Sequence, residues 1–186
     1  KQIITDNMDI TIGGGVESIS LVQTPQMRVA ADPELIAMHK DVYMTMLGTA
    51  ETVAKRYNIS RDVCDEYALQ SQQRTAAAQA AGYFDAEIIP VTANMAITNK
   101  ETKEVTYKEV TLTKDEGNRP ETTLEGLKAL QPVMGPGMNV TAGNASQLSD
   151  GSSASVLMEE KVAEKRGLQP LGRYVGMAVA GTEPDE

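Results

Sequence analysis

The fold class is decided by residues 151–180, which read GSSASVLMEEKVAEKRGLQPLGRYVGMAVA. Small and apolar residues from 153 to 158 predict a strand, and the charged amphipathic segment 159–166, which ends before Gly167, predicts a helix. A second apolar run, residues 171–180, predicts another strand. Because strand, helix and strand follow one another in this order, the pattern predicts a right-handed crossover in the buried sheet of an α/β protein.

A glycine triplet, Gly13-Gly14-Gly15, follows an alternating segment at residues 9–12. The alternation predicts a short strand, and the glycines predict a tight turn that closes it. Since glycine has no Cβ, the triplet also allows another backbone or a ligand to approach closely. A phosphate-binding loop is less favoured, because no G-x-G-x-x-G pattern follows. Residues 20–32, which include Pro25, are predicted to be irregular.

Two helices are predicted in the middle of the chain. Thr49 is suited to cap the first helix. Its inner stripe at helical spacing consists of Ala50, Val53, Ala54 and Tyr57. Ser60 begins the second helix, which runs to about Ala81 and ends at Gly82. The packed face of the second helix is predicted to consist of Val63, Cys64, Tyr67, Ala68, Ser71, Thr75 and Ala78.

Two strands and a short helix are predicted after these helices. Residues 89–97 alternate between apolar and polar, and Pro90 indicates that this strand lies at an edge. Within residues 105–112 the apolar residues change phase, which predicts a bulge. A short helix at about residues 122–130 follows.

The composition excludes several classes of protein. The 186 residues include 17 Lys plus Arg against 26 Asp plus Glu, which gives a net charge of −9. This balance argues against general affinity for nucleic acid or an anionic membrane, both of which need basic patches. Trp is absent and aromatic residues make up 4% of the chain, so base-stacking surfaces are not expected either. Because no apolar run is long enough to span a membrane and no signal segment is visible, we expect a cytoplasmic location.

The two ends of the chain indicate a piece of a longer polypeptide. The sequence begins at Lys1 rather than at a methionine, and it stops at Glu186 shortly after an apolar run. Domains usually end in polar, loosely held segments. We therefore expect further sequence on both sides.

Cys64 is the only cysteine and His39 the only histidine. One cysteine cannot form an internal disulfide, and a metal site would have to use carboxylates alone. The neighbouring charges of Asp65 and Glu66 are expected to raise the pKa of the Cys64 thiol, so a packing role is favoured over a nucleophile. His39 is expected to be solvated or structural. The residues therefore assign no catalytic group and no metal ligand.

Two segments could bind a polar ligand. The backbone amides around Asn144 and the hydroxyl of Ser146 could face such a ligand, because small residues flank them. Lys114 and Arg119 form a cationic spot that suits a phosphate. A hydrogen-bonded turn and an ordinary surface charge remain open as the alternatives.

Several sequence strings occur together in one order along the chain. They are DITIGGGVES at 9–18, TAE at 49–51 with Val53 and Ala54, SRD at 60–62 continuing through 65–66 to 71–72, TAGNAS at 141–146 with Asp150 and Gly151, and GLQPLG at 167–172. In this order they resemble the thiolase family of acyl-CoA acyltransferases, which includes 3-ketoacyl-CoA thiolase and acetyl-CoA acetyltransferase. TAGNAS followed by Asp150-Gly151 is the most specific element.

The resemblance implies a five-layer α/β/α/β/α fold built from two similar halves, with a mixed α+β loop domain that covers coenzyme A. Residues 1–20 would then be the end of the N-terminal half. Residues 21–148 would be the loop domain, and residues 149–186 the start of the C-terminal half.

The resemblance also implies a reaction, the reversible thiolytic cleavage or Claisen condensation of 3-ketoacyl-CoA. In the family one cysteine takes the acyl group, a second moves protons, and a histidine helps to form an oxyanion hole. These groups would lie before Lys1 and after Glu186, and neither Cys64 nor His39 matches them. The 186 residues alone are therefore predicted to be inactive. A truncated or processed piece that binds coenzyme A, or only assembles, remains the alternative.

Coenzyme A binding is what the resemblance implies for residues of this chain. The matching positions are Met46, Arg119, Leu127, Ala142, Ser146 and Leu148. Ser146 would hydrogen-bond pantetheine, Arg119 would lie near the nucleotide end, and the others would make apolar contacts. Gly126 and Gln131 stand where some relatives have serine and arginine, which implies fewer contacts at the nucleotide end. Acyl-CoA and coenzyme A are then substrates, no covalently bound cofactor is implied, and a homodimer or homotetramer is expected.

Overall fold

The computed structural model describes residues 1–22 and 30–186. Within these ranges the elements, in chain order, are α1 (Gln2–Thr5), β1 (Ile10–Glu17), α2 (Ile19–Val22), α3 (Pro33–Met38), α4 (Met46–Arg56), α5 (Arg61–Ala80), β2 (Val91–Thr98), β3 (Val105–Leu112), α6 (Leu124–Lys128), β4 (Gly151–Met158) and α7 (Glu160–Lys165). The segment predicted to be irregular starts instead within α2, and most of the rest of it, including Pro25, lies outside the described residues.

The glycine triplet lies inside a strand and does not form a turn. β1 pairs antiparallel with β4, from Ile10 opposite Met158 to Glu17 opposite Gly151. A Cβ on Gly14 would lie 2.6 Å from the carbonyl oxygen of Ser153. The predicted turn is therefore wrong, because the glycine here allows a close approach of two backbones rather than a reversal of the chain.

The predicted parallel crossover is not formed. β4 is a strand, and α7 is a helix followed by Gly167 with φ of +66°, as predicted. β4 pairs antiparallel with β1, however, and residues 171–180 form no strand. An apolar run favours a strand, but a strand also needs a hydrogen-bonded neighbour, and no described strand pairs with this segment. Its large apolar side chains are exposed: Leu171, Val175, Met177 and Val179.

The caps of the two central helices explain where these helices begin. Thr45 caps α4, since its Oγ1 accepts the backbone N–H of Gly48 at 3.2 Å, so this helix begins before the predicted cap at Thr49. Ser60 caps α5 as predicted, and the helix ends just before Gly82, whose φ is +71°. α6 confirms the predicted short helix with slightly tighter bounds.

Strands β2 and β3 form a hairpin without a bulge. The register is continuous from Val91 opposite Leu112 to Thr98 opposite Val105. Nearly every residue of both strands is exposed. The predicted bulge is wrong because a change in apolar phase constrains the register only where one face is buried.

The described residues divide into two compact units. One comprises Lys1–Tyr43 with Gln147–Pro184, and the other comprises Met44–Ser146 with Asp185–Glu186. The assignment of three domains that the resemblance implies concerns the longer protein and stays a prediction.

The second unit has a small core that is partly polar. Ala54 of α4 and Leu127 of α6 are its buried apolar residues. Glu51, Asp65 and Thr141 are buried beside them, and the last two have no exposed surface. Since buried polar groups are costly unless they are hydrogen-bonded, the partners of these three residues define the structure around them.

Candidate functional site

The site loop, residues 139–146, is tied together by the side chain of Asn144. Its Oδ1 accepts the backbone N–H of Thr141 at 2.8 Å, and its Nδ2 donates to the carbonyl oxygen of Asn139 at 2.9 Å. The hydroxyl of Thr141 accepts the N–H of Gly143 at 3.2 Å. Side-chain bonds therefore replace secondary structure in a loop that has no regular ladder.

Asp65 of α5 holds this loop from the protein interior. Its Oδ1 accepts from Asn144 Nδ2 at 3.0 Å, and its Oδ2 accepts from Arg61 Nε at 2.8 Å. Arg61 also donates through Nη2 to the carbonyl oxygens of Leu127 at 2.7 Å and Leu130 at 3.1 Å. One ion pair, with Asp65 buried and Arg61 partly exposed, thus joins α5, the end of α6 and the site loop.

Glu51 of α4 holds the beginning of the same loop. Its carboxylate accepts the backbone N–H of Asn139 at 2.8 Å and that of Val140 at 2.7 Å. It also accepts from Asn139 Nδ2 at 3.2 Å. These are charge-assisted hydrogen bonds to an ionised acceptor, which are stronger than bonds between neutral groups.

Three of the predicted contact residues lie on or against the site loop. Ala142 and Ser146 are exposed on it, while Leu127 of α6 is buried behind it. A Cβ on Gly143 would lie 2.6 Å from Leu127 Cδ2 and 2.5 Å from Leu130 Cδ1. The loop backbone therefore packs closely against α6 and the residues that follow it.

The other apolar positions are exposed. Met46 is the first residue of α4 and is 80% exposed. Leu148 is 71% exposed and belongs to the other compact unit. Both remain predicted contacts that the structure does not test.

Arg119 lies on a loop that is anchored to α5 through Gln72. Asn118 Nδ2 donates to the carbonyl oxygen of Gln72 at 2.9 Å and to its Oε1 at 2.8 Å. The backbone N–H of Arg119 donates to the same Oε1 at 2.9 Å, and its carbonyl oxygen accepts from the hydroxyl of Thr122 at 2.7 Å. Hydrogen bonds thus hold both the N–H and the carbonyl group of Arg119. Arg119 itself is exposed, and so is Lys114.

A groove of about 560 Å³ lies in the second unit between α4 and residues 134–139. Glu51 and Asn139 are among the residues that line it, together with Met44 and Met138. The groove therefore reaches the first residue of the site loop, but none of the six predicted contact residues lines it.

Cys64 and His39 lie outside any catalytic arrangement among the described residues. Cys64 is half-buried, and its burial, together with the nearby charges of Asp65 and Glu51, raises the pKa of its thiol. The predicted effect of the neighbouring charge of Asp65 is confirmed. His39 is exposed at the C-terminal end of α3, where its backbone N–H donates to the carbonyl oxygen of Leu35.

The raised pKa of Cys64 predicts slow alkylation. In the folded 186-residue polypeptide iodoacetamide is expected to modify Cys64 more slowly at pH 8 than after unfolding in urea, because less of the thiol is ionised and access to it is reduced. The pH at which the rate reaches half its maximum should also be higher in the folded chain. Equal rates and equal midpoints in the two states would contradict this expectation.

Three residues that hold the site loop were missed as functional candidates. Glu51, Arg61 and Asp65 stand within matched sequence strings, but charged side chains on helices usually indicate a solvated face. The spacing of Arg61 and Asp65, four residues apart, was the available signal for an ion pair. What it could not indicate was burial, which depends on the distant loop that supplies Asn144.

Two findings describe the parts of the chain that the structure covers. No helix there is both long and apolar enough to cross a membrane. No group of three or more His, Cys, Asp or Glu side chains is placed where it could hold a metal ion.

Relatives with known names cover almost the whole chain. A 3-ketoacyl-CoA thiolase of Bacillus subtilis is 39% identical over 187 residues, which cover 100% of this chain and 47% of the relative. A human peroxisomal 3-ketoacyl-CoA thiolase is 42% identical over 179 residues, which cover 95% of this chain and 41% of the relative. The chain therefore spans about half the length of the curated relatives it matches.

Solved structures of thiolases share the fold. The dimeric peroxisomal thiolase of Saccharomyces cerevisiae matches with a TM-score of 0.77 and 32% identity, over 99% of this chain and 45% of that one. Human mitochondrial 3-ketoacyl-CoA thiolase in complex with CoA matches with a TM-score of 0.65 and 35% identity, over 91% of this chain and 42% of that one. These matches confirm the predicted fold class, α/β as part of the thiolase fold. The family model described as Thiolase, N-terminal domain matches residues 1–161, and the chain belongs to the thiolase family.

Proposed function

We propose that this chain is part of a longer acyltransferase that cleaves 3-ketoacyl-CoA with coenzyme A, or runs the reverse Claisen condensation. Membership of the thiolase family and the names of the relatives support this proposal. Within that enzyme, the chain supplies part of the surface that binds coenzyme A. Acyl-CoA and coenzyme A are substrates, and no covalently bound cofactor takes part.

The main observation behind the proposal is that the site loop has exposed residues and is held in place by buried polar side chains. Ala142 and Ser146 are exposed, while Glu51 and Asp65 accept hydrogen bonds from Asn139 and Asn144 of the same loop. Positions that contact a ligand are effective when the surrounding structure holds them in place before binding, because less entropy is then lost. A serine hydroxyl suits the amide groups of a pantetheine arm, since it can donate and accept hydrogen bonds.

Arg119 is the proposed contact for the nucleotide end of coenzyme A. A guanidinium forms paired, charge-assisted hydrogen bonds with phosphate oxygens. The chain as a whole carries a net charge of −9, so an exposed arginine on a fixed backbone stands out as a place for an anion. The exposed Met46 and Leu148 and the buried Leu127 complete the proposed set as apolar contacts.

The bond-making groups are assigned to parts of the enzyme outside these 186 residues. Cys64 is poorly suited to be the nucleophile, because its thiol has a raised pKa and is half-buried. His39 is too exposed to serve as a base held in one orientation. The role of this chain in the reaction is then binding, not covalent catalysis.

Steady-state kinetics test both the reaction and the contact. The full-length protein is expected to form acetyl-CoA from acetoacetyl-CoA and coenzyme A. Replacing Arg119 with Ala should raise the KM for coenzyme A by about tenfold and change kcat by less than about threefold, because the lost contact acts equally on bound substrate and transition state.

Arg74 provides the control for this variant, since it is another exposed arginine, on α5. Replacing Arg74 with Ala should leave both kinetic constants unchanged. A full-length protein without thiolytic activity would refute the proposed function, whereas an unchanged KM in Arg119→Ala would refute the role of Arg119.

Assembly and location are further parts of the proposal. A homodimer or a homotetramer is proposed, and the similar yeast enzyme is described as dimeric. A cytoplasmic location stays a prediction, and relatives named peroxisomal and mitochondrial are known.

A further inference from the structure

We infer that Asp65 is a positioning residue for coenzyme A: it sets the conformation of the site loop through Asn144 and thereby the placement of Ala142 and Ser146. This inference rests on the proposed function. Asp65 has no exposed surface, so it cannot itself contact a ligand, and any effect on binding has to pass through its neighbours.

Asp65 accepts hydrogen bonds from two side chains, the guanidinium of Arg61 and the amide of Asn144. Arg61 donates to Oδ2 at 2.8 Å, and Asn144 donates to Oδ1 at 3.0 Å. Arg61 is fixed in turn by two carbonyl oxygens, those of Leu127 and Leu130. Arg61 therefore anchors the Asp65 carboxylate to carbonyl oxygens in α6 and just after it, in addition to its bond to the site loop.

The carboxylate decides which way the amide of Asn144 faces. An ionised carboxylate only accepts hydrogen bonds, so the NH₂ group of Asn144 has to point toward Asp65. That orientation leaves the second hydrogen of Nδ2 for the carbonyl oxygen of Asn139 and leaves Oδ1 for the N–H of Thr141. A flipped amide would place oxygen against oxygen at Asn139 and donor against donor at Thr141.

The loop conformation that results is the one that exposes the proposed contacts. Ala142 lies two residues before Asn144, and Ser146 lies two residues after it. With Asn at position 65 the constraint on the Asn144 amide is lost, because an amide offers both a donor and an acceptor. The exposed contacts should then sample several positions, which weakens binding without altering the reacting groups.

The test uses the full-length protein with Asp65→Asn, which keeps the size of the side chain. The KM for coenzyme A in acetoacetyl-CoA thiolysis is expected to rise by about tenfold, with kcat within about threefold of wild type. The Kd of coenzyme A, from calorimetric titration, should rise by the same factor. In hydrogen exchange, the amide of Thr141 should exchange faster in the variant, because its acceptor on Asn144 is no longer held.

Gly82→Ala separates positioning from a general loss of stability. Gly82 ends α5 with φ of +71°, where an alanine is strained, so this variant should lower Tm but leave the KM for coenzyme A unchanged. If Asp65→Asn lowers Tm with KM and Kd unchanged, or lowers kcat by as much as it raises KM, the inference is overturned. A wild-type protein that neither binds nor cleaves would instead refute the proposed function, and the inference with it.

Discussion

Replacing Glu51 with Ala is expected to lower the free energy needed to open the start of the site loop by about 3 kcal/mol. The Glu51 carboxylate accepts two backbone N–H groups and one side-chain N–H, those of Asn139 and Val140. Alanine leaves these partly buried donors without an acceptor, and each unmade bond of this kind is costly. Since about 1.4 kcal/mol corresponds to a factor of ten, the amides of Asn139 and Val140 should exchange hydrogen roughly 100-fold faster in the full-length variant.

Two further variants make the Glu51 result specific. Glu51→Gln keeps one acceptor oxygen and should show a smaller acceleration of exchange. Glu66→Ala removes an exposed glutamate from α5 and should leave exchange at Asn139 and Val140 as it is in the wild type. Equal exchange in Glu51→Ala and wild type would mean that the loop holds its shape without this carboxylate.

Replacing Gly14 with Ala should disrupt the pairing of β1 with β4. The new Cβ would lie 2.6 Å from the carbonyl oxygen of Ser153 and 3.1 Å from the Cα of Ala154. Both are backbone atoms, which cannot move away as the end of a flexible side chain can, so the two strands have to separate. We expect a cost of about 3 kcal/mol or more, at the upper end of the range for overpacked sites. A fall in Tm and faster exchange in both strands would measure it.

Gly15 is the matched control, because it is the next residue of the same strand and has nothing within 4 Å of an added Cβ. Gly15→Ala should be neutral, or slightly stabilising through reduced freedom of the unfolded chain. If both alanine variants show the same Tm, the close approach at Gly14 does not contribute to stability.

The sequence predicted those parts of the fold whose causes are local. α5 begins at the hydroxyl of Ser60 and ends at Gly82, and both signals lie within or next to the helix. The predicted turn at the glycines of β1 is wrong because the strand that packs against them, β4, lies more than 130 residues away in the sequence. The strand predicted at residues 171–180 shows the same limit, since an apolar run does not indicate whether a partner strand is present.

The sequence predicted the exposed loop of the site but not the buried acidic residues that hold this loop in place. The strings around Asn144 indicated a ligand loop, and the structure shows a loop there held by its own side chains. Glu51 and Asp65 look like solvated acids in the sequence, because their burial depends on packing between two helices and a loop far along the chain.

The pairing of β1 with β4 has a consequence for the order of folding. The last rung of this ladder joins Glu17 to Gly151, which are separated by 151 − 17 = 134 positions. Closing so long a loop lowers the entropy of the chain before the hydrogen bonds between β1 and β4 can form and offset that loss. Contacts between residues this far apart in the sequence therefore slow folding. The intervening unit, Met44–Ser146, has many internal contacts of its own and can shorten that loop by collapsing first. The pairing of β1 with β4 is then a late event within this stretch of chain, because it cannot begin until Gly151 and the residues after it have been synthesised.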